Sequence, residues 1–176
     1  MGHLRSGQGV DMLIDAMKDV VKKVPRAHLL IVGGGPLEAR YKKQVGNLKL
    51  KQKVKFTGFI KEFVDVQKFL IDAAVAVAPY VDDSKTYTRY TDPGKPKDYL
   101  ASGIPVVITK VPQVAFEIEK NQCGIAINYK KEELVDALIK LLKDDKLLIL
   151  FRKNALRMAK KYEWEKIFDK AFSETL

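Results

Sequence analysis

Lys95 and Asp98, three residues apart behind the dipeptide Pro93-Gly94, are the two side chains of this sequence best spaced to do chemistry together. They open the stretch Asp92-Pro93-Gly94-Lys95-Pro96-Lys97-Asp98-Tyr99-Leu100-Ala101-Ser102-Gly103-Ile104-Pro105-Val106-Val107. It reads as a loop, a short helix, a Gly-Ile-Pro turn and then a buried strand. A helix that starts at Pro-Gly presents free backbone N–H groups, and its dipole favours an anion there. Lys95 adds a cation in the first turn, and Asp98 lies on the same helix face. A phosphate subsite beside a carboxylate that accepts from sugar hydroxyls suits a nucleotide-sugar. The competing reading is an ordinary exposed ion pair worth about 0.2–0.5 kcal/mol. The setting, between Pro-Gly and Tyr99-Leu100-Ala101, favours the site.

Those residues need a scaffold, and the apolar pattern describes one. Val10, Leu13, Met17, Val20, Val21 and Val24 form one helical stripe ended by Pro25. His28-Leu29-Leu30-Ile31-Val32 is a buried-strand run stopped by Gly33-Gly34-Gly35-Pro36. Leu37, Tyr41 and Val45 mark a helix, Val54 to Thr57 a strand ending at Gly58, and Phe63 to Leu70 another helix. Ala74 to Ala78 is a strand stopped by Pro79, and residues 80–94 are irregular. The Lys95 helix, the strand Val106-Val107-Ile108, a short helix at Val114–Glu119 and the strand Gly124–Ile127 follow. Leu134, Ala137, Leu138, Leu141 and Leu142 form a helix face, and residues 146–175 give one or two closing helices.

Short apolar strands alternating with helices of about ten residues or more predict an α/β fold. The expected architecture is three-layered and Rossmann-like, a parallel sheet with helices on both faces. Ligands on such sheets bind beyond the carboxyl ends of the strands. Here those ends carry Gly33 to Pro36, Gly58-Phe59, Pro79-Tyr80 and Thr109-Lys110. The triple glycine is equally readable as a plain strand-to-helix turn. The first helix has no strand before it, and Met1 to Leu4 resembles the tail of a strand-to-loop junction. The expectation is a single domain, residues 1–176, forming the second half of a larger protein.

Composition narrows the partners. Lys and Arg outnumber acids 32 to 22, a net charge of +10, which invites a partner rich in phosphate. No block of five like charges occurs and no aromatics are interleaved for base stacking, so nucleic acid is not expected and a solvated surface is. Cys123 is alone, so no disulfide framework forms within the chain, and a reducing, cytoplasmic setting follows. The longest apolar run, Ala73 to Ala78, is far too short to span a bilayer. Asp82, Asp83 and Asp92 share no helix face and have no histidine partner, so no metal is expected. Trp164 reads as a packing residue and Cys123 as a buried, inert thiol.

In this order the segments resemble the C-terminal, donor-binding domain of GT-B-fold glycosyltransferases, in particular glycosyltransferase family 4, the group 1 transferases. Gly9-Val10-Asp11-Met12-Leu13-Ile14-Asp15-Ala16 is similar to the family's first helix, and Leu29 to Leu37 to its strand and glycine turn. Val54 to Ile60, Ala101 to Val107 and Tyr162 to Ile167 are similar to later segments. The resemblance covers nearly the whole chain; each piece is weak and the ordered set is specific.

It implies roles. Asp98 matches the second carboxylate of the family's paired-glutamate motif, which holds the donor ribose. Gly94 and Lys95 would sit by the diphosphate. The backbone at Phe59 and Ile60, after Gly58, would hold the base, with Gly33, Gly34, Gly35 and Pro36 near it or the diphosphate. The family transfers a sugar from a nucleoside diphosphate with retention and without a metal or other cofactor. An acceptor-binding domain N-terminal to this one would close the cleft. Lipid-linked acceptors would bring the protein to the inner membrane face, and the positive charge is compatible with such peripheral contact.

Three positions depart from the family. The first glutamate of the pair falls on Tyr90, and the arginine and lysine of the first loop fall on His3 and Gln8. A subgroup with a Pro-x-Lys-x-x-Glu-Tyr motif also lacks that first glutamate, and this chain is nearest to it. Arg5 is the expected catalytic substitute beside Lys95, with Arg89 and Lys85 as further candidates. His3 reads as a frayed terminus or a phosphate ligand, and Gln8 as a residue leading into the helix. Two alternatives stand beside the transferase: a non-catalytic nucleotide- or sugar-binding domain of the same fold, and a basic module for anionic lipid or nucleic acid.

Overall fold

The structure, a computed structural model, describes residues 1–83 and 87–173. Lys85 and the side chain of Trp164 therefore lie outside the described residues. The first helix, α1 (Val10–Lys23), buries Val10, Leu13, Ile14, Met17 and Val20 along one stripe. Asp11 in its first turn and Lys22 and Lys23 in its last complement the helix dipole. It stops where Pro25 disfavours the helical conformation of the residue before it. It begins at Gly9, whose φ of 64° is left-handed and whose added Cβ would lie 1.8 Å from the Pro79 oxygen. Only glycine fits that approach.

Next come β1 (Leu29–Ile31), α2 (Glu38–Asn47), β2 (Val54–Phe56), α3 (Phe63–Ile71) and β3 (Ala76–Ala78). A 3-10 turn at Tyr87–Tyr90 breaks the irregular segment before α4 (Gly94–Ala101). The chain continues through β4 (Val106–Thr109), α5 (Val114–Lys120), β5 (Gly124–Ile127), α6 (Lys131–Lys143), α7 (Asp145–Ala159) and α8 (Trp164–Ser173). Each expected strand and helix is present, with ends that match the expected ones or lie one or two residues inside or outside them. The Asp144 carboxylate accepts from Leu147 N at 2.9 Å and so starts α7 separately from α6.

All strand pairs are parallel, as the alternation of strands and helices predicts. Side chains of successive strand residues point to opposite faces. Val107 and Ile127 pack into one core with Ile31, Val54, α1, α2 and α6. Val106, Ile108, Ala126, Ala76 and Ala78 pack into a second core with α4, α5 and α7. Those two cores are the outer layers' contacts with the sheet. α7 contributes to both, through Phe151 on one side and Ala155 and Met158 on the other.

The sheet itself differs from the simplest expectation. It consists of two ladders, β1-β2 and β3-β4-β5, with no pairing between β1 and β3. Residues 1–9 thread between the carboxyl ends of these two strands. Gly2 N donates to Val32 O at 2.8 Å and Leu4 N to Gly34 O at 2.9 Å, while Val81 N donates to Gly7 O at 3.1 Å. The frayed terminus expected around His3 is thus tied on both sides of that residue. Among the described residues no helix is long and apolar enough to cross a membrane.

Candidate functional site

The carboxyl ends of β1, β2 and β3 and the start of α4 converge on the N-terminal segment. Behind β1, Gly33 has a φ of 118°, and a Cβ there would lie 2.1 Å from Gly2 O. The triple-glycine turn is therefore required by the close passage of residues 2–4, whatever else it contacts. Gly33 N donates to Thr57 Oγ1 at 3.2 Å, and Gly33 bridges Gly58. A Cβ on Gly34 would stand 3.1 Å from Phe59 N, so the loops after β1 and β2 are in contact. Phe59 is 81% exposed on this rim, and Ile60 beside it is half-buried.

On the other side of the segment, α4 begins at Pro93 with no side chain capping its N-terminus. Pro93 at the N-cap and Pro96 in the first turn have no N–H, which leaves the amides of Gly94 and Lys95 free at that end. Gly94 is open, with nothing within 4 Å of an added Cβ. Pro96, Tyr99 and Leu100 anchor the helix in the core. The half-buried Lys95 and Asp98 stay on its outer face.

Lys95 is the hub. Its Nζ donates to Gln8 Oε1, and it stands 5.2 Å from the centre of the Tyr80 ring. A Cβ on Gly2 would meet Lys95 Cδ at 3.3 Å, so the ammonium lies against the same segment that lines the Gly33 turn. Burial, and then the nearby Arg5 charge, lower its pKa from the ordinary 10.5 to about 8. It remains a cation at neutral pH with few charges to neutralise it. The Arg5 guanidinium is exposed, donates to Tyr87 Oη at 2.5 Å and stacks 5.9 Å from that ring's centre. Burial raises the Asp98 carboxyl above its ordinary value.

The structure thus brings Lys95, Gln8, Gly2 and the charge of Arg5 together, with the Gly33–Gly58 contact on the far side of residues 1–4. It disposes of other candidates. Arg89 is paired with Asp82, and Lys97 with Asp92. Lys97 also lies 4.9 Å from the centre of the Tyr162 ring, away from Gln8. His3 is exposed, and Tyr90 is 87% exposed. The sequence reading missed Gln8 as a partner of Lys95 and Tyr80 as its aromatic floor. The one signal for Tyr80 was its place after Pro79 at the carboxyl end of a strand.

Comparison with known proteins follows the geometry. The family described as glycosyl transferases group 1 matches residues 1–144. The chitobiosyldiphosphodolichol beta-mannosyltransferase of Kluyveromyces lactis is 29% identical over 152 residues, which are 86% of this chain and 32% of that protein. The chain thus spans about a third of the length of that curated relative. Among solved structures, HepE from Anabaena in complex with UDP has a TM-score of 0.81 at 18% identity, covering 99% of this chain and 46% of that one. The C-terminal domain of the group 1 glycosyl transferase LpcC from Francisella tularensis has a TM-score of 0.78 at 20% identity, covering 93% and 84%. WaaG, a glycosyltransferase involved in lipopolysaccharide biosynthesis, has a TM-score of 0.79 at 22% identity, covering 97% and 44%. The structural likenesses establish the fold, and the match over residues 1–144 establishes the family: this chain belongs to the group 1 glycosyl transferases.

Proposed function

We propose that residues 1–176 form a donor domain that binds a nucleoside-diphosphate sugar at the start of α4. In this reading the Gly94 and Lys95 amides and the Lys95 ammonium hold the diphosphate, and Asp98 accepts from the ribose hydroxyls. The backbone of Phe59 and Ile60 holds the base, with Gly33, Gly34, Gly35, Pro36 and Gly58 shaping the rim. The observation that carries the reading is the Lys95 ammonium resting on Gln8. Gln8 stands where the family resemblance expects a lysine, so Lys95 brings a cation from α4 to the place that position 8 leaves neutral.

The chemistry follows from that charge. Breaking the bond between the anomeric carbon and the β-phosphate oxygen leaves negative charge on the diphosphate. Lys95, Arg5 and the α4 amides would stabilise it without a metal. HepE was crystallised with UDP, which supports a nucleoside diphosphate as ligand. An acceptor-binding domain in a longer protein would supply the acceptor, a glycan or lipid-linked sugar, at the inner membrane face. The reading takes transfer to proceed with retention.

A second stereochemical reading is favoured by one observation: the Kluyveromyces lactis relative is named a beta-mannosyltransferase. Making a β-mannoside from an α-linked donor requires inversion. NMR of the anomeric proton in the product made by the full-length protein separates the two.

The test of binding is calorimetric titration of this domain with UDP, GDP and ADP beside an Asp98→Ala variant. The expected result is saturable binding of one nucleotide, weakened in the variant. Failure to bind in both this domain and the full-length protein would overturn the reading. Binding without transfer by the full-length protein would leave a nucleotide-binding domain of the same fold.

A further inference from the structure

Four cations lie on the first turns of α4 and on the two segments that touch it or lead into it, and they differ in what holds them. Lys97 is paired with Asp92 and Arg89 with Asp82, so a carboxylate neutralises each. Lys95 rests on the amide oxygen of Gln8, and Arg5 on the phenol oxygen of Tyr87, both neutral acceptors. A carboxylate cancels the charge it holds. An amide or phenol oxygen fixes the cation and leaves its charge whole for an arriving anion. Gln8 belongs to the site already described; Tyr87 lies on the 3-10 turn that precedes α4.

Core packing does not account for Tyr87, because it is 59% exposed. The turn nevertheless holds it in one place. Thr88 beside it is buried, and Thr88 O accepts from Thr91 N at 3.3 Å and from Thr91 Oγ1 at 3.2 Å. The Arg89–Asp82 pair ties the turn back to the start of its own segment. From this post Tyr87 Oη accepts from Arg5 Nη2 at 2.5 Å, and the guanidinium lies 5.9 Å from the ring centre, within reach of a cation–π contact. Arg5 needs a holder. Its charge is felt by Lys95, and two like charges repel, so an untethered arginine would turn away into water. The backbone supports the same placement: Val81 N donates to Gly7 O at 3.1 Å. Residues 5, 7 and 8 of one short segment thus meet Tyr87, Val81 and Lys95.

We infer that Tyr87 is a positioning residue: it holds the Arg5 guanidinium with its charge intact beside the Lys95–Gln8 contact, and so makes the site prefer a nucleoside diphosphate to a monophosphate. The preference follows from charge. A second phosphate brings further negative charge, and a second cation that no carboxylate has neutralised is what gains from it. This rests on the donor reading above and adds to it the residue that sets how much charge the ligand must carry.

The test is calorimetric titration with UDP and UMP, GDP and GMP, and ADP and AMP, on this domain or, where the domain alone binds none, on the full-length protein. It gives the ratio of diphosphate to monophosphate affinity for the base that binds. Tyr87→Leu, which removes both ring and hydroxyl, is expected to lower that ratio about tenfold by weakening the diphosphate. Tyr87→Phe, which keeps the ring, should lower it by a smaller factor. Monophosphate affinity and melting temperature should hold in both, because Tyr87 is exposed and other contacts fix its turn. Arg5→Gln should lower the ratio at least as far, and adding Tyr87→Leu to it should change nothing further. A ratio that both Tyr87 variants leave unchanged, or equal losses for the two nucleotides, would overturn the inference and leave the donor reading standing. A second full loss in the double variant would overturn it too. Should Tyr87→Leu fail to fold, the ratio in Tyr87→Phe decides alone. Binding of none of the six nucleotides by either protein would overturn the donor reading, and this preference with it.

Discussion

The Lys95 ammonium donates a hydrogen bond to the side-chain oxygen of Gln8, a residue 87 positions earlier in the chain. That contact joins the start of α4 to the segment entering α1. It leaves a cation poised over the Tyr80 ring with only a neutral partner. Both that bond and one to phosphate are charge-assisted, but a phosphate adds the attraction of opposite charges, so it would gain more from Lys95 than Gln8 does.

Replacing this cation tests the site most directly. Lys95→Met is expected to weaken binding of the preferred nucleoside diphosphate by about 10- to 100-fold, from about 1.5–3 kcal/mol lost. The melting temperature should hold or rise, because a half-buried charge has been removed. Isothermal calorimetry and a thermal melt check both. Unchanged affinity would remove Lys95 from the site.

The same lysine sets a pH dependence. Its folded pKa of about 8 lies below the ordinary 10.5, so between these values the unfolded chain binds the extra proton. This group's contribution to stability therefore rises with pH from about 8 to about 10.5. Nucleotide affinity should move the other way, falling as pH climbs through about 8 and the ammonium is lost. Near that pH, binding should draw a proton from buffer, which calorimetry in buffers of different ionisation enthalpy detects. Lys95→Met should abolish both trends.

Two glycines should behave oppositely. Gly33→Ala forces a Cβ to 2.1 Å from Gly2 O at a left-handed φ, so stability should fall by about 1–3 kcal/mol or more. Gly94→Ala meets nothing within 4 Å and should leave the denaturation midpoint within about 0.5 kcal/mol of the parent. Its added methyl stands beside the proposed diphosphate, so nucleotide affinity should drop although the fold is intact.

Cys123 is fully buried, its Sγ lying 3.2 Å from Met158 Sδ and donating to Ile118 O at 3.6 Å. Burial pushes its thiol up to about 11. Native protein should resist a thiol-reactive dye at neutral pH for as long as it stays folded, and label completely in denaturant. Rapid labelling of the native state would contradict this packing.

The sequence by itself determined the elements, because each strand and helix announces its period and its stop. The stripe from Val10 to Val20, the run Leu29 to Ile31 with its glycines, and Gly94 before Lys95 are local patterns, and local sterics and burial act on them directly. It also placed Lys95 and Asp98 on one helix face, since that needs only helical spacing. Tertiary structure decided which cations meet. Lys95 and Lys97 are nearly equivalent in sequence, yet one turns to Gln8 and the other to Asp92 and Tyr162. Arg5 is the first candidate in sequence and Arg89 a further one, and packing puts Arg89 on Asp82 and the Arg5 charge near Lys95. No periodicity records such pairings, because they depend on how loops distant in sequence are folded together. The lack of pairing between β1 and β3 belongs to the same class: strand order is a property of the assembled sheet, and its edges appear only once the strands have found their neighbours.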